Sequence, residues 1–262
     1  MNPKLMWLKF KTEFKVIYFL MGLNVLMFLI SIGLSSFSRT NFDGILYLLG
    51  ADNLMALLSG WELFRPVTSA FLHGNLLHLL LNMWALWSIG RMVENFYGSK
   101  KFFLVYIFTA ITASLMSNLA SLVGIFLHGN DAALSLSVGA SGAIFGLVGL
   151  ILGSKYRKNP YGVSMDMYVD TYQLWIFVGY NILIGFGVNF LGSASFAINN
   201  WAHIGGFLGG LLFGVLLDPV NTFYTANWRK YFEKILFWVS IITFLASFAG
   251  LGFSILQFII SA

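Results

Sequence analysis

The chain has 262 residues, of which 58% are hydrophobic and 10% are charged, and its net charge is +5. An average soluble domain has about 25% charged residues. So few charges cannot cover a globular surface, which excludes a disordered chain, an ordinary soluble enzyme and an ordinary nucleic-acid-binding protein and favours a polytopic membrane protein. Because the sequence contains no cysteine, it also excludes a disulfide framework, a thiol nucleophile and a cysteine-ligated metal.

Seven apolar segments predict an all-α fold, a polytopic membrane helical bundle. In chain order the spans are Val16–Ser36, Leu76–Ile89, Phe102–Phe126, Val138–Ser154, Tyr172–Leu191, Trp201–Leu217 and Ile235–Ile260. Residues 1–15 are expected to form a cytoplasmic N-terminal segment. The first span is interpreted as a signal anchor, because it is about 20 residues long and lacks the small-x-small exit of a cleaved signal peptide.

A long segment, Phe37–Phe71, lies between spans one and two and carries Tyr47, Trp61 and Phe64 among polar residues. Aromatic side chains favour the membrane interface, so a partly embedded interfacial element is one interpretation. An ordinary external loop is the other, and composition does not distinguish them.

The basic residues alternate sharply between the two sides of the predicted bundle. All but two of the 15 Lys and Arg residues lie before span one or in the loops that follow spans two, four and six. The remaining two, Arg39 and Arg65, lie in the alternate loops. The positive-inside rule therefore predicts a multi-pass protein of the cell membrane with a cytoplasmic N-terminus and an extracytoplasmic C-terminus.

Polar side chains are few within the spans, which contain no Lys, Arg, Asp or Glu residue. They lie where three spans begin: His73, His78 and Asn82 at the second, Ser141 at the fourth, and Asn199, Asn200 and His203 at the sixth. A strongly polar group in a membrane helix is costly, so each of these residues is a functional candidate.

Three of the candidates share one depth. Ser141, His203 and His78 lie thirteen to fifteen positions before the first charged residue at the cytoplasmic end of their spans. At about 1.5 Å per residue, all three lie roughly 20–22 Å above the inner boundary of a hydrocarbon core about 30 Å thick. Asn82 shares the helix face of His78 through its i+4 spacing. The sequence therefore predicts a polar site that opens to the outer side.

Glycines predict that spans four and six pack closely. Gly142 and Gly146 belong to a stripe in span four, and Gly206 and Gly210 belong to a stripe in span six. Small residues at this spacing let helix backbones touch in lipid. Packing of the two stripes would bring Ser141 within hydrogen-bonding distance of His203.

Simpler interpretations exist for each feature. A serine in a membrane helix often bonds its own i−4 carbonyl, a histidine at a helix end is often an interfacial group, and glycine stripes occur in transporters and channels. A metal site formed by His73, His78 and His203 is a minor alternative, because no carboxylate or cysteine accompanies them. His128, after span three, is not accompanied by other polar candidates and is interpreted as a solvated loop residue.

Three motifs, in order on three spans, resemble the rhomboid family of intramembrane serine proteases. Residues 73–82 resemble its H-x4-H-x3-N pattern, residues 139–142 its G-x-S-G motif and residues 202–206 its A-H-x-x-G motif. The G-x-S-G string alone is weak, because unrelated hydrolases share it. The resemblance covers about residues 61–217. It implies a rhomboid-like six-helix protease core within residues 16–234 and an additional C-terminal transmembrane helix in residues 235–262.

The resemblance implies a serine endopeptidase that hydrolyses peptide bonds within or near transmembrane segments of other membrane proteins. Ser141 would be the nucleophile, and His203 would be the general base and then the general acid. Since the spans hold no carboxylate, a Ser–His dyad is expected rather than a triad. Transmembrane protein substrates and membrane lipid are the expected partners; no cofactor, metal or nucleic acid is expected.

Other residues would support this chemistry. By resemblance, the side chains of Asn82 and His78 and the backbone N–H of Ser141 would stabilise the oxyanion, and His73, Phe145 and Gly139 would support them. Water would reach the site through a cavity kept wet by polar residues, namely Ser135, Ser137, Asn199 and Asn200.

Two departures from the family pattern leave the reacting atoms unchanged. Phe64 precedes Arg65 where the family often has Trp, and Phe145 stands where many members have Tyr. Two rival functions are a catalytically dead rhomboid-like binding protein and a transporter or channel. The first is expected to lose the Ser or the His, and both are kept. The second would show inverted repeats, which the sequence lacks.

Overall fold

A computed structural model describes residues 15–37, 40–128, 135–157, 169–190, 198–218 and 227–261. Within these ranges the chain is helical, apart from connecting segments and one isolated β-bridge between Asp52 and Ser137. The helices are α1 (Val16–Phe37), α2 (Phe42–Leu48), α3 (Leu54–Ser59), α4 (Arg65–Thr68), α5 (Leu76–Tyr97), α6 (Ser99–His128), α7 (Ser141–Gly153), α8 (Thr171–Phe190), α9 (Asn200–Leu216) and α10 (Asn227–Ser261). Short 3₁₀ turns, Ser69–Phe71 and Ser154–Tyr156, follow α4 and α7.

Helix length and surface chemistry identify a membrane protein. Among the described helices, α1, α5, α6 and α10 are long and apolar enough to cross a membrane. Large apolar side chains such as Leu29, Trp84, Phe126, Leu183 and Leu245 are exposed on the outer faces of the bundle. A surface of this kind is suited to lipid rather than to water. The predicted all-α, polytopic membrane bundle is confirmed.

The centre of the bundle is α7. Every residue from Gly142 to Gly153 is buried, because α6 and α9 pack along this helix. A helix that is apolar on all sides is stable only when neighbours surround it. With 13 residues, α7 is short, and its first residue is Ser141.

Several helix ends differ from those predicted. Instead of ending at Ile89, α5 continues through a π-helical turn, Leu86–Gly90, to Tyr97. The buried Glu94 carboxylate accepts hydrogen bonds from the N–H of Val16 and the hydroxyl of Ser99 at 2.6 Å each, so this charge is compensated inside the helix end.

The last helix also begins earlier than predicted. Its first residue is Asn227, so the expected boundary between residues 234 and 235 lies inside one helix. Near its start, Arg229 pairs with Asp218 and Glu233 pairs with Lys101. His128, expected in a loop, is instead the last residue of α6.

Ion pairs join four helices at the end of the bundle remote from Ser141. The Asp218 carboxylate lies 2.6 Å from Arg157 and 3.3 Å from Arg229, and Lys101 lies 2.8 Å from Glu233. These contacts connect the ends of α7 and α9 with the starts of α6 and α10. The long final helix is therefore attached to the core by charge as well as by packing.

The segment between α1 and α5 is a folded element. Arg65 lies buried at its centre, where Nη1 donates to the carbonyls of Tyr47 (2.9 Å) and Ala51 (2.6 Å) and the guanidinium pairs with Glu62. Asn41 and Asn53 cap α2 and α3 through their side-chain oxygens. The helices of this segment support the turn that leads to His73.

Candidate active site

Ser141 lies at the first position of α7 because Gly139 turns the chain just before it. Gly139 has φ +127°, a conformation that side-chain-bearing residues rarely adopt, and its N–H donates to the Ser69 carbonyl at 3.0 Å. A Cβ added to Gly139 would lie 2.8 Å from Nε2 of His78 and 3.8 Å from Oγ of Ser141. The hydroxyl and the His78 ring therefore flank the same glycine.

The Ser141 hydroxyl meets the imidazole of His203, which α9 carries. Oγ of Ser141 lies 2.9 Å from Nε2 of His203. The His203 ring is stacked on Phe145, with ring centroids 4.3 Å apart and planes 6° apart. The ring of Phe177 in α8 also packs against Phe145, with centroids 5.6 Å apart. This stack fixes the plane of the imidazole beside the serine.

The other ring nitrogen of His203 has no hydrogen-bond partner in the part of the chain that the structure describes. Nδ1 is buried there, and no carboxylate accepts a bond from it. Neutral imidazole carries a proton on one nitrogen and a lone pair on the other. A proton on Nδ1 leaves Nε2 able to accept the proton of Ser141.

Glycines let the two helices touch. A Cβ on Gly206 would collide with the carbonyl oxygen of Gly142, and one on Gly210 with that of Gly146. The glycine stripe of α7 is, however, divided between two partners. A Cβ on Gly142 would meet Ala113 of α6, at 2.5 Å. Because α7 is buried on all sides, it needs small residues toward α6 as well as toward α9.

The remaining polar candidates lie at the start of α5. Asn75 caps this helix by accepting the N–H of His78 at 2.8 Å. Asn82 is buried and donates one amide N–H to the carbonyl of His78 at 2.9 Å, which leaves its second N–H for another acceptor. His73 is fully buried, and its ring lies behind that of His78, with centroids 5.0 Å apart.

Among the described residues, no group of three or more His, Cys, Asp or Glu side chains is arranged to hold a metal ion. The structure brings Ser141, His203 and His78 together, with His73 behind them.

Two of the residues expected to line a wet cavity make hydrogen bonds to neighbouring segments. Asn199 Nδ2 donates to the hydroxyls of Ser117 at 2.6 Å and Ser137 at 3.0 Å. Asn200 is 3% exposed and donates to the Ile182 carbonyl at 3.2 Å. Ser135 is exposed. Sequence analysis missed the contact of Asn199 with Ser137, although each residue lies four positions before a member of the Ser–His pair.

Asp52 is a buried acid that sequence analysis also missed. Both carboxylate oxygens accept hydrogen bonds from Asn118 Nδ2, at 3.1 and 3.0 Å. Burial raises the pKa of the Asp52 carboxyl, against the opposing effects of these hydrogen bonds and the Arg65 charge. No sequence motif marked this residue, because its partners come from distant helices.

The fold and the site define a class: a polytopic membrane protein in which a serine at the start of a buried helix contacts a histidine of a helix packed against it. Residues 60–220 match the Rhomboid domain. The chain belongs to the rhomboid family.

Several curated proteins are similar to this chain. The rhomboid protease GluP of Bacillus subtilis (strain 168) is 33% identical over 195 residues, which cover 74% of this chain and 33% of that protein. Rhomboid-like protease 3 of Toxoplasma gondii is 32% identical over 196 residues, covering 71% and 63%. RHOMBOID-like protein 4 of Arabidopsis thaliana is 30% identical over 210 residues, covering 76% and 48%. The chain thus spans less than two thirds of the length of these relatives.

Proposed function

We propose that this protein is an intramembrane serine endopeptidase that cuts peptide bonds within or near transmembrane segments of other membrane proteins. The observation that carries the proposal is the 2.9 Å contact between Ser141 Oγ and His203 Nε2. Membership of the rhomboid family and the protease names of GluP and Rhomboid-like protease 3 support it.

The reaction begins when Nε2 of His203 takes the hydroxyl proton of Ser141. Oγ then attacks the carbonyl carbon of the substrate, and the tetrahedral intermediate breaks its C–N bond while His203 returns the proton to the leaving amine. Water hydrolyses the resulting serine ester by the same proton transfers, with release of the carboxylic acid. Phe145 holds the imidazole plane through both steps.

The developing oxyanion is stabilised by three donors beside Ser141. These are the free N–H of the Asn82 amide, the His78 ring and the backbone N–H of Ser141. The backbone N–H groups of the first turn of α7 have no partner within that helix, and the positive end of the helix dipole points the same way. Removal of one such donor costs about 2.7–4 kcal/mol in a known oxyanion hole.

The substrate is a membrane-embedded chain that is locally unwound, since a helix hides its carbonyls in hydrogen bonds. The site opens to the outer side, with the N-terminus of the protein in the cytoplasm and its C-terminus outside. The positive-inside pattern supports this orientation. The ion pairs of Asp218 with Arg157 and Arg229 lie at the opposite end of α7 from Ser141, the end that this orientation assigns to the cytoplasm.

The test uses purified protein and a single-span substrate in liposomes. Wild type should cut the substrate and react with a fluorophosphonate at Ser141, whereas Ser141→Ala and His203→Ala should do neither. Ser59→Ala is the matched control, because this exposed hydroxyl bonds its own helix at Met55.

Two results would contradict the proposal. Chelator-sensitive cleavage that survives Ser141→Ala would indicate metal chemistry. Substrate binding by a wild type that neither cuts nor reacts with the probe would indicate a binding protein without activity.

A further inference from the structure

A second contact links the chain segments that carry Ser141 and His203. Ser137 and Asn199 each precede a member of the pair by four residues, and they are joined by a hydrogen bond from Asn199 Nδ2 to Ser137 Oγ at 3.0 Å. We infer that Asn199 is a positioning residue that holds His203 in register with Ser141. This inference rests on the proposed function.

Asn199 is tied directly to the histidine that it would position. Its side-chain oxygen caps α9 by accepting the N–H of Ala202 at 3.0 Å, and its backbone carbonyl accepts the N–H of His203 at 3.3 Å. The two amide N–H donors serve Ser137 and Ser117. A shift of the Asn199 side chain therefore moves the first turn of α9, which carries His203.

Ser137 is a firm anchor for this contact. Its backbone N–H donates to the Asp52 carbonyl at 2.9 Å, and its carbonyl accepts the Asp52 N–H at 3.0 Å. Asp52 in turn is held by Asn118, the neighbour of Ser117 in α6. The outer end of α6 thus supports both sides of the Asn199–Ser137 contact.

Two contacts constrain the pair more than one does. The Ser141–His203 hydrogen bond alone fixes a distance and lets α9 rotate about it. A second bond at Asn199, the N-cap of α9 and about one turn (roughly 5.4 Å) before His203, also restricts that rotation. Misplacement by about 1 Å can cost roughly 10²-fold in rate, so loss of the outer contact should affect the chemical step more than substrate binding.

The test compares Asn199→Ser with Ser137→Ala. Serine is a good helix cap but is too short to reach Ser137, so Asn199→Ser keeps the cap and removes the link, and Ser137→Ala removes its acceptor. Each variant should lower kcat roughly 10- to 100-fold, with KM changed less than about twofold. The rate of fluorophosphonate labelling at Ser141 should fall in parallel. The double variant should be no slower than the worse single variant, because both remove one contact.

The matched control is Asn41→Ser, which alters the same kind of cap on α2, where Asn41 accepts the N–H of Gly44 at 2.8 Å. Its cleavage and labelling should equal those of wild type. Asn199→Ser and Ser137→Ala variants with wild-type kcat and labelling would overturn the inference alone, as would additive losses in the double variant. A wild type that neither cuts nor labels would overturn the proposed function, and the inference with it.

Discussion

Phe145 shows how one ring can support a site without itself transferring a proton. It lies flat against His203, with centroids 4.3 Å apart, and is itself backed by Phe177. A Tyr at this position would add a hydroxyl, but the stacking face would be the same. The hydrocarbon ring is therefore sufficient to orient the imidazole.

Replacement of Phe145 should separate ring stacking from mere apolar filling. Aromatic pairs contribute about 0.5–1.5 kcal/mol beyond their burial, so Phe145→Leu should lower kcat roughly 2- to 12-fold, whereas Phe145→Tyr should stay within about twofold of wild type. Cleavage of a single-span substrate measures both. Phe126→Leu is the control, because this ring is 81% exposed at the end of α6. Equal rates for Phe145→Leu and wild type would show that stacking does not orient His203.

At the scale of elements, close contact between α7 and α9 creates the site. The carbonyls of Gly142 and Gly146 occupy the space where side chains of Gly206 and Gly210 would stand. A membrane offers little hydrophobic drive for helices to associate, so such packing depends on shape. A methyl group added to Gly206 or Gly210 must therefore displace the backbone of one of the two helices.

We expect Gly206→Ala to destabilise the protein by about 1–3 kcal/mol, the usual cost of overpacking, and to abolish labelling of Ser141 by separating the pair. Thermal unfolding in detergent and fluorophosphonate labelling measure these effects. Gly252→Ala in α10 is the control, since nothing lies within 4 Å of an added Cβ there. Its stability should be unchanged or slightly higher, because Ala favours helix. Wild-type stability and labelling of Gly206→Ala would show that α7 and α9 can move apart without cost to the fold or to the Ser141–His203 contact.

Motif spacing was sufficient to predict the elements that carry the site. The polar residues at the starts of three spans, with the glycine stripes, predicted that Ser141 and His203 would lie near each other. Helix ends were less predictable: α5 passes Arg91 and Glu94 because Glu94 is compensated by α1, a partner far away in sequence. The Asn199–Ser137 link was likewise not predictable, because Asn at a helix start often acts only as a cap and Ser137 lies outside the helices.

At the scale of the whole molecule, α10 is attached to the rest of the fold near its start and at its middle. Near its start Glu233 pairs with Lys101, and at its middle Phe244 and Phe248 pack against Phe71, two residues before His73. The last helix therefore braces α6 and the turn that leads into α5. In the fold, α10 therefore supports the end of the segment between α1 and α5 and is also attached to the core.

The ion pair should contribute measurably to that attachment. A double-mutant cycle with Lys101→Ala and Glu233→Ala should give a coupling of about 0.5–3 kcal/mol in thermal unfolding, and high salt should reduce it because the pair is partly exposed. Lys234→Ala replaces Lys101→Ala in the control cycle, since Lys234 is exposed beside Glu233. A coupling of zero for Lys101 and Glu233 would show that apolar packing alone holds α10.

The shortness of α7 has one more consequence. Its 13 residues rise about 20 Å, less than the hydrocarbon thickness of about 30 Å, and its far end is fixed by the Arg157–Asp218 pair. In the proposed orientation, Ser141 would therefore stand at a constant height above the inner headgroups, whatever the acyl chain length. For a protease built this way, the position of the cut in a substrate would be set by its distance from the cytosolic surface of the membrane.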